Sequence, residues 1–341
     1  MPAEPMPAGW SDAGPARRIG PVPTPDPVPP YALIPDGTTL NDTTLNDTTL
    51  NDTTPNDTTS ATAAALPPDP SDVRLVVADM DGTLLDAEGR VPDALWPLLV
   101  RMRERGIAFA PASGRQYATL RQQFERALDG MVFIAENGAF VVRDGVEVSS
   151  MPLDRPFVEE AIGRIRTHAG SGRDIGVVVC GKRSAYIERV DPPFVVQAEP
   201  YYAELAVVDD VLAPEDDVLK IAVFDFEDSA VTAQALAPLG IGHQVVVSSH
   251  HWLDLMGPSV NKGTAVRRLQ QAMGIGPANT VAFGDYLNDL EMMGAVEHSY
   301  AMANAHPQIR AAARHTAPAN TEQGVISVLS AMLDVTDRTS V

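Results

Sequence analysis

The chain has 341 residues, 45% of them apolar, and its 25 Lys and Arg against 45 Asp and Glu give a formal net charge of −20. That length suits about two domains with sizeable cores, and the excess of acid argues against binding a nucleic-acid backbone, which needs clustered Lys and Arg. A lone cysteine, Cys180 in the run "GVVVC", excludes an internal disulfide and reads as a small buried hydrophobe.

Residues 1–70 read as a disordered, low-complexity tail: proline-rich at first, then the repeat "TTLNDTTLNDTTLNDTTPNDTT". A five-residue period keeps Leu on no single helix or strand face, and Asn, Asp and Thr favour turns. No apolar run approaches the roughly 20 residues of a membrane span. Arg17 and Arg18 are followed by "IGPVPTPDPVPP" rather than by an apolar signal segment, so the expected location is the cytoplasm.

From Val73 the pattern changes. "VRLVVAD" is a short β-branched run suited to a fully buried parallel strand. Helix "PDALWPLLVRMRERG", strand "IAFAPAS", helix "RQYATLRQQFERAL" and strand "MVFIAE" follow. This alternation predicts right-handed crossovers and an α/β fold with a doubly wound parallel sheet. "AFVVRDGVEVS" predicts a hairpin turning at Asp144-Gly145. Residues 153–249 break the rhythm: two helices, several strands and a helical stretch through "PPFVVQAEPYYAEL" predict an inserted α+β domain. Strand–helix alternation then resumes through "KGTAVRRLQQAMG", "TVAFGD", "LNDLEMMGAV", "YAMAN" and "PQIRAAAR". The expected organisation is therefore a core of residues 71–152 and 250–335 interrupted by a cap of residues 153–249.

Chemistry concentrates at predicted strand ends, where open α/β sheets bind ligands. Asp79 and Asp81 in "VVADMDGTLL" set two like charges at the end of a buried strand. Such a pair can share a proton or be neutralised by a metal ion. A plain Asp-Gly turn is the simpler reading of the residues alone. An EF-hand fails, because Gly82 arrives too early and Arg90 stands where the loop's glutamate belongs. In "PASGR", Ser113 precedes a helix, where its hydroxyl and nearby backbone N–H groups suit an anion or a simple N-cap. In "SVNKGTAV", Lys262 sits at a helix start, a poor place for a cation unless an anion faces it. In "VAFGDYLNDLEMM", Asp285 ends a buried strand and Asp289 follows within reach of the same face. Three aspartates so placed offer oxygen ligands for magnesium.

The four stations "DMDGT", Ser113 in "ASGR", Lys262 in "NKG" and "GDYLND" together resemble, in order, the four motifs of the haloacid dehalogenase superfamily. The resemblance runs from about Arg74 to Met332 and excludes the tail. Too little chain separates Asp81 from Ser113 for a cap to be inserted there. The insertion lies instead between Ser113 and Lys262, as in the Cof-like (type IIB) phosphatases with an α/β cap. "ENGA", "AMANA" and "NTEQGV" are also similar to that group, and "ASGRQYATL" is similar to its sugar phosphatases. Tyr286 is bulkier than the family pattern suggests.

The resemblance implies a magnesium-dependent phosphatase acting on a small phosphorylated metabolite, with sugar phosphates ahead of flavin mononucleotide or pyridoxal phosphate. It implies Asp79 as nucleophile, forming an aspartyl-phosphate. It implies metal binding by Asp79, Asp285 and the Asp81 carbonyl, with Asp289 and Asn288 in the outer shell. The Asp81 carboxyl would be the general acid and base. Ser113 and Lys262 would hold the phosphoryl oxygens, with Gly82, Thr83 and Gly114 assisting, and Arg115 and Asn137 would reach the substrate. A phosphotransferase or mutase on the same core is the rival within enzymes, and a non-catalytic phosphate-binding module is the rival outside them. A dehalogenase would leave Asp81 and the metal aspartates without purpose.

Overall fold

The computed structural model describes residues 17–18 and 72–339 of the chain. It is an α/β protein built on two sheets. The first has eight strands, in the spatial order His315–Ala317, His298–Met302, Thr280–Gly284, Leu75–Asp79, Ala108–Ala112, Val132–Ala135, Phe140–Arg143 and Val146–Ser150. The first six run parallel, and the last two form an antiparallel edge. From the central strand Leu75–Asp79 the chain winds outward to one side. After the second sheet it returns to add Thr280–Gly284 and its neighbours on the other side. The winding direction thus reverses at Leu75–Asp79, and such a switch point opens a crevice beyond the strands' carboxyl ends.

The apolar runs explain the parallel sheet. All five residues of "LVVAD" are buried, as expected of a strand covered on both faces. Helices Leu95–Glu104, Lys262–Met273 and Gly324–Thr339 bury Leu95, Leu98, Met102, Val266, Leu269 and Leu329 in the same core. The hairpin turns where predicted, with Asp144 at φ 50° and Gly145 at φ 76° between the paired residues Arg143 and Val146. Two positive φ values in a two-residue loop match the right-handed twist of the strands.

The second sheet has seven strands, in the order Arg17–Arg18, Leu205–Val207, Ala185–Ile187, Ile175–Gly181, Val218–Asp225, Trp252–Met256 and Gln244–Val247. Alternation splits its side chains between two cores. Val179, Ile221 and Val223 pack under helix Arg155–Gly170 with Phe157, Ile162 and Ile165. Val178, Ala222 and Phe224 pack under helix Pro192–Ala198 with Phe194 and Val195. Cys180 is buried in the latter core, and burial raises its thiol pKa far above the ordinary value, so it packs as a small hydrophobe.

Several expectations shift. The boundary drawn at residue 249 falls short of the second sheet, because Trp252–Met256 pairs with both Val218–Asp225 and Gln244–Val247. The helical stretch in "PPFVVQAEPYYAEL" stops at Tyr201, and Leu205–Val207 is a strand instead. "LNDLEMMGAV" forms a 3-10 turn at Leu287–Asp289 and a short helix at Leu290–Met293. Within the tail, Arg17–Arg18 pairs antiparallel with Leu205–Val207, while the repeat lies outside the described residues. No helix among the described residues is long and apolar enough to cross a membrane.

Candidate active site

The crevice at the switch point gathers most of the residues singled out by the sequence. Strand Leu75–Asp79 delivers Asp79 into a buried cluster, and the chain then turns sharply through Met80–Leu84 with Gly82 at φ 75°. Glycine is needed there twice over: L side chains resist that conformation, and a Cβ would collide with the Asp285 carboxylate. The turn also separates the two aspartates. Asp79 accepts a hydrogen bond from the buried ammonium of Lys262. Asp81 points instead to Arg115, whose Nη2 donates to Oδ1 at 2.6 Å and whose Nε donates to Oδ2 at 3.3 Å. Each carboxylate has its own cation, so the crowding seen in "ADMDG" is relieved by charge pairing.

Strand Thr280–Gly284 brings Asp285 alongside. Asp289 lies fully buried on the following 3-10 turn, with Oδ2 accepting from the backbone N–H groups of Asp285 at 3.0 Å and Tyr286 at 3.3 Å. Its Oδ1 accepts from Lys262 Nζ at 2.7 Å. Lys262 opens helix Lys262–Met273, whose N-cap Asn261 accepts from the Thr264 N–H at 2.7 Å. Near a helix N-terminus a cation is disfavoured by the helix dipole, and two carboxylates offset this.

One carboxylate oxygen from each of Asp79, Asp285 and Asp289 lies within 4.8 Å of the other two. With one lysine among three aspartates, the ionised cluster carries an excess negative charge. Burial, then Asp289, pushes the Asp79 carboxyl well above its ordinary pKa, with Lys262 pulling the other way and Asp285 adding to the rise. Burial likewise raises Asp285 to about 6, against the opposing hydrogen bond from Thr83. The carboxylates outweigh burial at Lys262 and hold it firmly protonated. An all-oxygen donor set with uncompensated negative charge fits a hard divalent cation.

The remaining residues fall into two groups. Ser113, Gly114, Arg115 and Asn137 form one clasp after strands Ala108–Ala112 and Val132–Ala135. The Asn137 N–H donates to the Ser113 carbonyl at 2.9 Å, and the Glu136 N–H donates to the Arg115 carbonyl at 3.1 Å. Ser113 is buried and its Oγ accepts from the Arg115 N–H at 3.2 Å. Thr83 departs from expectation. Thr83 is buried and donates its hydroxyl to Asp285 Oδ1 at 2.7 Å, so it orients a carboxylate rather than facing the crevice as a phosphate ligand. Asn288 lies exposed on the turn before Asp289.

Three supporting residues were not assigned roles from sequence, although two of them, Asn304 and Asn320, lie in motifs that stood out. Asn304 in "AMANA" donates to the Gly82 carbonyl at 2.8 Å and accepts from the Asn320 N–H at 3.2 Å. Asn320 in "NTEQGV" donates to the Leu85 carbonyl at 2.9 Å. The His306 N–H donates to the Asp285 carbonyl at 2.8 Å. The two asparagines thus fasten the turn that carries Asp81 at its middle and just past its end, and His306 holds the neighbouring strand end at Asp285.

Comparison with known proteins agrees with this geometry. A model of haloacid dehalogenase-like hydrolases matches residues 76–329. The chain is 32% identical over 266 residues to the 5-amino-6-(5-phospho-D-ribitylamino)uracil phosphatase YbjI of Escherichia coli K12, covering 76% of this chain and 96% of that one. It is 28% identical to the HMP-PP phosphatase of Cronobacter sakazakii, covering 71% and 88% respectively. Among solved structures, SMU.1108c from Streptococcus mutans UA159 superposes with a TM-score of 0.68 at 27% identity, over 77% of this chain and 99% of that one.

Proposed function

The chain belongs to the haloacid dehalogenase-like hydrolases and is a phosphatase of phosphate monoesters, and we propose that it works by phosphoryl transfer to Asp79 with magnesium as cofactor. The observation that carries this reading is the convergence of Asp79, Lys262, Asp285 and Asp289 in one buried cluster at the switch point.

In this reading an Asp79 oxygen attacks phosphorus in line while the ester oxygen leaves, giving an aspartyl-phosphate and splitting one difficult displacement into two easier ones. The Asp81 carboxyl gives its proton to the leaving oxygen. It then takes one from the water that cleaves the acyl-phosphate, releasing inorganic phosphate and restoring Asp79. Arg115 holds Asp81 by both oxygens and fixes its direction. Lys262 and Ser113 hold the transferring oxygens, with the Gly82 and Gly114 backbone alongside, and Arg115 and Asn137 reach the ester. Magnesium, held by Asp79, Asp285 and the Asp81 carbonyl with Asp289 behind, would neutralise the charge of carboxylate and phosphate.

The second sheet sets the leaving group. Tyr201 is 41% exposed, and Thr119, four residues after Arg115, donates to its carbonyl at 2.9 Å. Its ring stands edge-on to Trp252, with centroids 5.7 Å apart. This aromatic pair supports an organic leaving group with an apolar face, either the pyranose of a sugar phosphate or the ring of flavin mononucleotide or pyridoxal phosphate. Both named relatives act, by their names, on other phosphorylated metabolites.

The test is phosphate release from a panel of these esters, with magnesium or chelator, for the natural protein and Asp79→Asn. The natural protein should be active only with metal, and the variant should lose at least about a thousandfold. Equal activity of the two proteins would remove Asp79 as nucleophile.

A further inference from the structure

One buried charge is used by none of these steps. Lys220 lies between apolar residues in strand Val218–Asp225 of the second sheet and is only 4% exposed. Alternation places it on the same face as Ala222 and Phe224, which pack under helix Pro192–Ala198. At Lys220 that face meets the first sheet's loops instead. Its Nζ donates to the Gly114 carbonyl at 3.0 Å, lies 2.8 Å from Glu136 Oε2 and stands 3.7 Å from Asp254 Oδ1. Glu136 and Asp254 are themselves buried. Their charges outweigh the desolvation of Lys220 and keep it protonated, while burial raises Glu136 against the pull of Lys220.

Two of the three partners, Gly114 and Glu136, lie in the segments of the clasp. Gly114 stands between Ser113 and Arg115, and Glu136 immediately precedes Asn137. Glu136 and Asn137 adopt φ values of 49° and 55°, a conformation that side-chain-bearing residues hold only when their surroundings enforce it. Two further contacts tie the same segment to the second sheet's side. The Gln116 amide exchanges two 2.9 Å hydrogen bonds with the Glu204 backbone, and Thr119 Oγ1 donates to the Tyr201 carbonyl at 2.9 Å. These bonds hold the outer part of the segment. Lys220 alone among these contacts reaches the residue between Ser113 and Arg115.

We propose that Lys220 is a positioning residue for the reaction: from the second sheet its ammonium ties together the Gly114 carbonyl and the Glu136 carboxylate, and thereby sets Ser113, Arg115 and Asn137 in register. The proposal rests on the phosphate-binding and Asp81-orienting roles given above to Ser113 and Arg115. Register matters because a displacement of about 1 Å in such a clasp can cost on the order of a hundredfold in rate.

The experiment uses the full chain with Lys220→Met, Arg115→Ala and their combination. A second pair, Lys220→Met/Glu136→Gln with and without Arg115→Ala, removes a positive and a negative charge together, so that only Asp254, 3.7 Å from Lys220, loses a partner. Turnover of p-nitrophenyl phosphate with magnesium, affinity for inorganic phosphate and thermal unfolding are measured on each. Lys220→Met should lower kcat/KM about tenfold to a hundredfold and weaken phosphate binding about tenfold. The Arg115→Ala loss should shrink in that background, because Arg115 is already misplaced. A stability change with unaltered kcat/KM and phosphate affinity would overturn the proposal, as would additive losses with Arg115→Ala. Should Lys220→Met fail to fold, the charge-neutral pair decides by the same two criteria. Absence of phosphate release by the natural protein would strike the phosphatase mechanism instead, and the phosphate affinities would still decide the role of Lys220.

Discussion

Replacing Lys262 by Met removes the only cation from a buried cluster of carboxylates and keeps the length of the side chain. The oxygens of Asp79, Asp285 and Asp289 lie within 4.8 Å of one another. At an effective dielectric constant of about 20, each ionised pair then repels by at least about 3.5 kcal/mol. Uptake of one proton limits the damage. Keeping protonated at neutral pH an aspartate whose ordinary pKa is 3.8 costs about 4 kcal/mol. The expected loss in chelator is therefore about 3–4 kcal/mol, within the range for removing one partner of a buried ion pair. Magnesium should return more than half of it, since a cation at about a hundred times its dissociation constant contributes about 2.7 kcal/mol. The variant should also gain more from metal than the natural protein, because no ammonium competes for Asp79 and Asp289. Turnover should stay down by at least about a hundredfold, because the donor proposed for the transferring phosphoryl group is gone. Urea unfolding at neutral pH, in chelator and over a magnesium series, measures each quantity. A variant as stable as the natural protein in chelator, or one that gains no more from magnesium, would refute the charge argument.

Two further outcomes follow from other parts of the molecule. Asn304→Ala loses the bond to the Gly82 carbonyl and the acceptor for Asn320; it should cost no more than about 1 kcal/mol of stability yet lower kcat about tenfold, and an unchanged kcat would show that the turn holds Asp81 without it. In the second sheet, buried Asp225 accepts from Arg173 Nε at 2.9 Å, Thr232 Oγ1 at 2.6 Å and the Glu227 and Asp228 N–H groups at 2.8 and 3.1 Å. Burial acts to raise its pKa, but these donors together bring it below the ordinary 3.8. A depressed folded-state value means stability that is present above the unfolded pKa and lost as pH falls through the folded one. Asp225→Asn should thus be less stable than the natural protein at neutral pH by about 2 kcal/mol, and the gap should narrow below the ordinary aspartate range; a gap independent of pH in urea unfolding would refute the assignment.

The proposed reacting positions were legible in the sequence because their chemistry constrains residue type at element ends. Asp79, Ser113 and Asp285 stand where an apolar run stops, Lys262 stands where a helix starts, and local patterning marks such points. What surrounds them was not legible, for reasons of distance along the chain. Lys220 reads as a charge interrupting a strand, and nothing nearby hints that its hydrogen-bond acceptor is 106 residues away. The hydroxyl of Thr83 could face phosphate or a carboxylate, and only the arrival of Asp285, 202 residues later, decides it. The boundary after residue 249 failed for a related reason. Trp252–Met256 has the same apolar pattern in either sheet, and membership is set by pairing with Val218–Asp225 rather than by composition. Leu205–Val207, three residues long, gave too little alternation to stand out from the helix before it.

The two aspartates of "DMDG" show how spacing and turn chemistry together define roles. Were the strand to continue, Asp79 and Asp81 would share one face and repel. The strand instead ends at Asp79, and the positive φ of Gly82 bends the chain so that Asp285 can come against it. Asp79 is thereby left in the buried, lysine-bearing cluster, where burial and its carboxylate neighbours raise its pKa and a cation is needed to keep it charged. Asp81 is left with a side chain 40% exposed and a guanidinium across both oxygens. Solvent and the Arg115 guanidinium are its neighbours. One carboxylate thus shares a single ammonium with two other aspartates, and the other has a guanidinium to itself. That difference fits a nucleophile that reacts beside a metal and a proton carrier that works at the mouth of the crevice, reached from the Asp79 strand in two residues.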